Sequence, residues 1–397
     1  MRLLAWGLYD LANTFFAVAM LTFFFPLWVV ETHGAKELAY SAAVGLSMAA
    51  AAVLMPFCGA LSDATGERVR FLRWTTFACA AATWLIGFVT EVTWGLVLFG
   101  LANVCYQLGT VFYDALLWNV ASPRRLGPAS GVGAAFGYLG SLIGLLLLWP
   151  FVRLGGYQAA FAPSAVCFLL FALPCFLVLR EPKATARVEW PKLARDTLHR
   201  LAATVRSART SRGLWRYLWA SFFSLNAINT VLVFMAVYTR TAAGFSLEEL
   251  IRFFLFCQLF TIAGALVFGP LIPRWSAKRT LQILWLGWIG ALAVVAVNPS
   301  VRWLWVVGPV IGCCLGSTFA TARVLLIELS ARDRLAETFG LAGLVARISA
   351  ILGPVVWGWL VLDPAGSWRG FVFLTGLLAV GVWLLRGVQV PEPQAGG

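Results

Sequence analysis

Charge is scarce in this chain: only 12% of its 397 residues are Asp, Glu, Lys or Arg, where a soluble domain carries about 25%. Histidine is scarcer. The two present, His33 and His199, fall in loops, so a histidine-ligated metal site or a histidine-based enzyme has little to be built from. The eight cysteines all lie in apolar runs and none forms a Cys-x-x-Cys; they read as small buried hydrophobes rather than ligands or redox pairs. No Gly-x-x-x-x-Gly-Lys-Ser/Thr occurs, and no polar stretch is long enough for a nucleotide-binding domain, which excludes self-contained ATP drive. No metal, no cofactor and no enzymatic activity are expected. A lipid-processing enzyme would need a clustered His/Asp or Ser/Lys set, and there is none.

Apolar surface, by contrast, is abundant, at 61% of residues. It comes in runs of about 20, the length that crosses a ~30 Å hydrocarbon core as helix. The runs lack the alternation of a barrel strand, and backbone groups in lipid must be satisfied within the segment. The runs predict spanning helices over 4–30, 39–61, 71–90, 92–120, 129–152 and 159–179. Six more follow over 214–240, 248–271, 280–298, 303–328, 336–361 and 369–389. The fold class is an all-α membrane protein of twelve transmembrane helices. It divides into a six-helix bundle over 1–180, a linker over 181–213 and a second bundle over 214–397.

The net charge of +13 suggests nucleic acid only until its placement is read. Lys and Arg concentrate in the loops of one face and in the linker, which points to membrane topology. That face is assigned to the cytoplasm, with both termini and the linker on it. The linker reads as a solvated, partly amphipathic segment on anionic headgroups.

The two halves repeat. A shift of 209 positions lays Leu116–Gly144 over Leu325–Gly353 without a gap, superposing Arg125, Gly131 and Gly144 on Arg334, Gly340 and Gly353. Six helices followed by six in the same orientation is the parallel repeat of a transporter whose halves rock about a central site.

After the second run comes Gly59-Ala-Leu-Ser-Asp63-Ala-Thr-Gly66-Glu-Arg68-Val-Arg70. It resembles the signature loop of the major facilitator superfamily. Glycines permit a tight turn and close helix contact, an Asp can cap a neighbouring helix, and arginines can hold it in a charge-assisted cluster. Gly59, Asp63, Gly66, Arg68 and Arg70 are the expected conformational-gate residues. The matching loop of the second half has Pro273 for the Asp and Ser276 for the second Gly, so the lock is expected mainly in the first half.

Three further stretches carry a narrower resemblance: Trp6-Gly-Leu-Tyr9-Asp10-Leu-Ala-Asn13-Thr14, Phe112-Tyr113-Asp114, and Glu337-Thr-Phe339-Gly340 with Arg347-Ile-Ser349. Together they are similar to the vacuole-effluxer-like family, relatives of the autophagy-related vacuolar amino-acid effluxer. That family more often has an amide where Asp114 stands. The resemblance implies a monomeric exporter of amino acids or related solutes.

Ionisable and amide side chains inside spanning helices are costly and so are functional candidates. Helix 1 has Asp10, Asn13 and Thr14 on one face, and helix 4 has Asn103, Gln107, Thr110 and Asp114 in one stripe. Helix 7 adds Asn226 and Asn229. Helices 1, 4, 7 and 10 line the cavity in the facilitator fold, so these are the expected substrate or coupling residues. The repeat sets Arg323 at the pseudo-equivalent of Asp114. Two readings stay open there: a gate pair with Asp114 or Asp10 accepting a proton, or a static ion pair. Arg347, roughly 15 Å into helix 11 at 1.5 Å per residue, would either hold a substrate carboxylate or make a structural pair.

The expected function is a secondary active, proton-coupled transporter in the bacterial inner membrane. Its partners would be a small-molecule substrate, the proton and membrane lipids, with no nucleic acid. A lipid, lysolipid or drug transporter of the same fold and a non-transporting scaffold or receptor are the alternatives.

Overall fold

A computed structural model describes residues 1–35, 37–179, 212–241, 244–297, 301–361 and 367–390. Most of the linker lies outside them. Among the described residues there are long helices and short helical turns and no strand. The twelve long segments are α1 (Arg2–Thr32), α2 (Glu37–Thr65), α3 (Arg68–Ile86), α4 (Val92–Val120), α5 (Leu126–Gly155) and α6 (Phe161–Val178), then α7 (Arg212–Thr241), α8 (Leu247–Trp275), α9 (Ala277–Val297), α10 (Val301–Leu329), α11 (Leu335–Leu360) and α12 (Ser367–Arg386). Eleven are long and apolar enough to cross a membrane; α3, whose first turns carry Arg68, Arg70 and Arg73, is the other.

α1 is not the continuous helix that its apolar run predicts. It widens into a π-helical turn at Ala17–Thr22, breaks at Phe23 (φ −125°, ψ −68°), recovers for one α turn at Phe24–Leu27 and widens again at Trp28–Thr32. Pro26 lacks the amide that would bridge the break. The Tyr40 hydroxyl of α2 donates to the Leu21 carbonyl at 2.9 Å, satisfying a group that lipid could not. Beyond the break Phe25 stacks on Phe99 at 4.7 Å, so the C-terminal end of α1 is anchored in apolar packing.

The repeat is visible in the helix contacts. α4 packs on α2 and α3, and α6 on α1 and α3; in the second half α10 packs on α8 and α9, and α12 on α7 and α9. The helix limits carry the same offset, α10 beginning and ending 209 positions after α4, and α8 210 after α2.

The chain forms two compact units, and they do not coincide with its two sequence halves. Unit 1 holds Met1–Pro123, the chain from Phe136 to the end of α6, and Asp333–Leu344. Unit 2 holds Arg124–Ala135, α7 to α10, and the chain from Val345 onward. The exchanged segments, Arg124–Ala135 and Asp333–Leu344, are themselves related by the 209-residue shift. The first turns of α5 thus pack with the second half, and those of α11 with the first.

Candidate functional site

The charged site of unit 1 is built where α2 gives way to α3. Gly66 takes a left-handed turn (φ +66°) that no β-carbon obstructs. This turn folds Arg68 back over the last turn of α2. Its Nε and Nη2 lie 2.8 and 2.7 Å from Asp63 Oδ1, with side chains only 11% and 4% exposed. The other oxygen, Oδ2, accepts a hydrogen bond of 2.8 Å from the backbone amide of Glu337. Glu337 lies in the first turn of α11, where amides have no intrahelical partner and the helix dipole favours an anion.

Gly59 lies one turn before Asp63, on the same face. A β-carbon there would collide with the Ala336 carbonyl and come within 3.1 Å of Glu337 Cα. From the other side, a β-carbon at Gly340 would lie 2.5 Å from the Met55 carbonyl oxygen. The Gly-x-x-x-Asp spacing therefore brings backbone against backbone and sets the carboxylate at the helix end. Arg70 is not part of this cluster: it makes an exposed pair with Glu67 at 2.9 Å, a kind that contributes little.

Unit 2 has the same backbone arrangement without the carboxylate. A β-carbon at Gly127 would lie 2.6 Å from the Gly269 carbonyl oxygen and 2.7 Å from Ile272 Cβ, and one at Gly131 would collide with the Ala265 carbonyl. Pro273 occupies the position of Asp63. Polar contact comes instead from α10: Ser130 donates to the Ala320 carbonyl at 2.8 Å, and Arg323 Nη1 donates to Ser130 Oγ at 3.3 Å. Lys278, the counterpart of Arg68, turns elsewhere. Its ammonium donates to the carbonyls of Arg386 at 2.8 Å and Val388 at 2.6 Å, holding the chain that leaves α12.

The intramembrane candidates fall into different surroundings. Asn103 and Gln107 are 0% and 1% exposed and sit in the contact of α4 with α2 rather than on an open face. Asn103 Nδ2 donates to Ser47 Oγ at 2.8 Å, and Gln107 Nε2 donates to Asn103 Oδ1 at 3.2 Å. Their pseudo-equivalents on α10 are Gly312 and Gly316. There a β-carbon would meet the carbonyls of Cys257 (2.5 Å) and Thr261 on α8. One helix pair is thus filled by an amide ladder and the other collapsed onto glycine. Asp114 shares the face of Asn103 and is half-buried.

On α1, Asn13 is buried and Asp10 half-buried; Thr14 Oγ1 donates to the Asp10 carbonyl at 2.9 Å and to that of Gly137 at 3.0 Å. In unit 2, Asn226 Nδ2 and Ser349 Oγ both donate to the Phe222 carbonyl, at 2.8 and 3.1 Å. Asn229, Arg323 and Arg347 are half-buried.

The aromatic residues of the motifs carry a role that sequence reasoning missed. Trp6 stacks on Tyr113 at 4.5 Å and donates its Nε1–H to the Tyr113 carbonyl. Tyr9 also stacks on Tyr113, at 5.2 Å, and shares a 2.7 Å hydrogen bond with Thr76. They join α1, α4 and α3 directly beside Asp10 and Asp114. The signal was their i, i+3 spacing with the neighbouring acid. Among the described residues, no group of three His, Cys, Asp or Glu could hold a metal.

These features define a multi-pass helical membrane protein built from two repeats of six helices. The chain belongs to the Major Facilitator Superfamily, which matches residues 11–296 and 253–397. It is a membrane transporter rather than an enzyme. An uncharacterized protein of Aquifex aeolicus (strain VF5) is 25% identical over 94% of this chain and 93% of its own. An uncharacterized MFS-type transporter of Bacillus subtilis (strain 168), YxiO, is 22% identical over 89% and 86%. Among solved structures, the fold is similar to a bacterial homologue of the iron transporter ferroportin in the outward-facing state (TM-score 0.76, 15% identity, 97% and 99% covered). It is also similar to the human organic anion transporter MFSD10 (0.74, 16%, 97% and 97%) and the E. coli fucose:proton symporter FucP (0.72, 13%, 98% and 98%).

Proposed function

We propose that this chain is a proton-coupled secondary transporter of the vacuole-effluxer-like kind, working by alternating access and exporting amino acids or related small metabolites. Both termini and the linker lie in the cytoplasm of a bacterial cell, and a monomer in the inner membrane is the working unit. The observation that carries this reading is the Asp63 carboxylate, buried between Arg68 and the first turn of α11. It is a charged contact on a segment that the second half lends to the first, and its release is the natural step between two access states.

Two further features support coupling and substrate class. Asp10 and Asp114 are acids within apolar helices, where a carboxyl is kept for use rather than solubility; we assign them as proton acceptors. Arg347 is permanently charged and lies within α11, and its planar guanidinium suits a substrate carboxylate. A proton symporter and an organic anion transporter share the fold, and the two sequence relatives, from Aquifex aeolicus and Bacillus subtilis, are bacterial.

The test is uptake into proteoliposomes under an imposed pH gradient, screening labelled amino acids beside wild type and Asp114→Asn. Gradient-driven uptake of one amino-acid group, uncoupled or abolished in the variant, is the expected result. Silence across all amino acids overturns the substrate class and directs the search to lipids, drugs or other metabolites.

A further inference from the structure

Four glycines of α5, Gly133, Gly137, Gly140 and Gly144, recur at intervals of four, three and four residues, spacing that reads as a single packing stripe. The three that contact α1 do different work. At Gly140 the atoms nearest a β-carbon would be the Leu11 carbonyl oxygen at 2.7 Å and Leu11 Cα at 2.9 Å, so this glycine sets how closely the two backbones approach. At Gly144 the nearest atoms belong to the Phe15 and Val18 side chains at 3.6 Å, an ordinary contact. At Gly137 all three belong to one carboxyl group: Asp10 Cγ at 3.1 Å, Oδ2 at 3.2 Å and Oδ1 at 3.4 Å. The Thr14 hydroxyl bridges the carbonyls of Asp10 and Gly137 at the same level, which pins the backbones on either side of that carboxyl.

We infer that Gly137 is a positioning residue for Asp10: the missing side chain leaves the room in which the carboxyl sits against α5. A methyl there meets the end of a flexible side chain rather than backbone, so it displaces the carboxyl while the Thr14 bridge keeps the two backbones together. The placement stands on geometry alone. Its consequence for transport rests on the reading of Asp10 as a proton acceptor.

The test is infrared difference spectroscopy on purified protein, with the Asp10 carboxyl band identified by its loss in Asp10→Asn. In Gly137→Ala that band moves in frequency, while in Gly144→Ala it stays. A band unmoved in Gly137→Ala overturns the inference. A thermal-stability cycle supplies the second arm. Asp10→Ala abolishes the loss of melting temperature caused by Gly137→Ala and leaves that caused by Gly140→Ala; a loss at Gly137 that persists without the carboxyl overturns it. Should Gly137→Ala alone fail to fold, recovery of the fold in the double variant supports the inference and continued failure overturns it. Undiminished gradient-driven uptake in Asp10→Asn would remove Asp10 from coupling without touching the band shift, so the two readings fail separately.

Discussion

The carboxylate of Asp63 accepts a hydrogen bond from the amide of Glu337, 274 positions further along the chain. The same carboxylate faces the Arg68 guanidinium, so a single side chain joins the α2–α3 turn to the start of α11. Asp63→Ala deletes the acceptor at the helix end and the anion beside Arg68. Breaking a buried ion pair costs about 3–5 kcal/mol, and loss of a cap about 1 kcal/mol. The expected outcome is a lower melting temperature and faster labelling of a cysteine placed at Thr338. Asp63→Asn, which keeps an acceptor for the amide but not the charge, should fall between.

Ser276 joins α8 to α9 with φ +71° and ψ 148°, where the first half has Gly66. That backbone region is essentially glycine's alone and costs other residues about 1–3 kcal/mol. Ser276→Gly should therefore stabilise the protein by about 1 kcal/mol, net of greater freedom in the unfolded chain. Gly66→Ser should do the reverse, and melting curves of the purified variants decide. A destabilised Ser276→Gly would mean that the hydroxyl, 3.4 Å from the Arg279 amide, matters more than the strain.

The two pseudo-equivalent helix pairs should respond differently to small changes. Asn103→Ala removes a buried hydrogen bond to Ser47 and leaves a gap, a loss of about 1–3 kcal/mol. Gly316→Ala places a methyl into the Thr261 carbonyl of α8, which the backbone can relieve only by moving apart. The second substitution should be the more damaging, read as yield and melting temperature in detergent. Equal tolerance of both would show that α10 can shift on α8.

Lys278 donates to the carbonyls of Arg386, the last residue of α12, and of Val388 just beyond it, and Arg216 Nη1 donates to the one between them, Gly387, at 2.8 Å. Hydrogen bonds from charged donors contribute about 1.5–3 kcal/mol. Lys278→Ala should raise amide exchange at 385–390 about tenfold or more, with little change in the middle of α12. No local change would mean that Arg216 suffices to hold the segment.

Much of this protein was legible before any coordinates. Runs of apolar residues decide for helices because lipid offers the backbone no other partner, and the limits of α4 and α10 follow from residue type alone. The 209-residue repeat and the Gly59–Asp63 spacing could also be read, since both are local patterns. Periodicity also put Asn103, Gln107 and Asp114 on one face, but could not say what that face meets; the Ser47 hydroxyl of α2 does. The break in α1 depends on a hydroxyl from Tyr40, the Trp6–Tyr113 stack on two helices apart in sequence, and the new partners of Lys278 on the end of α12 and the chain that follows it. The exchange of Arg124–Ala135 and Asp333–Leu344 between units is likewise absent from any local pattern. A helix's own sequence determines which residues share a side, because 3.6 residues make a turn. What lies opposite is decided by packing among segments hundreds of residues apart, where the close approach of one glycine to one carbonyl selects the neighbour.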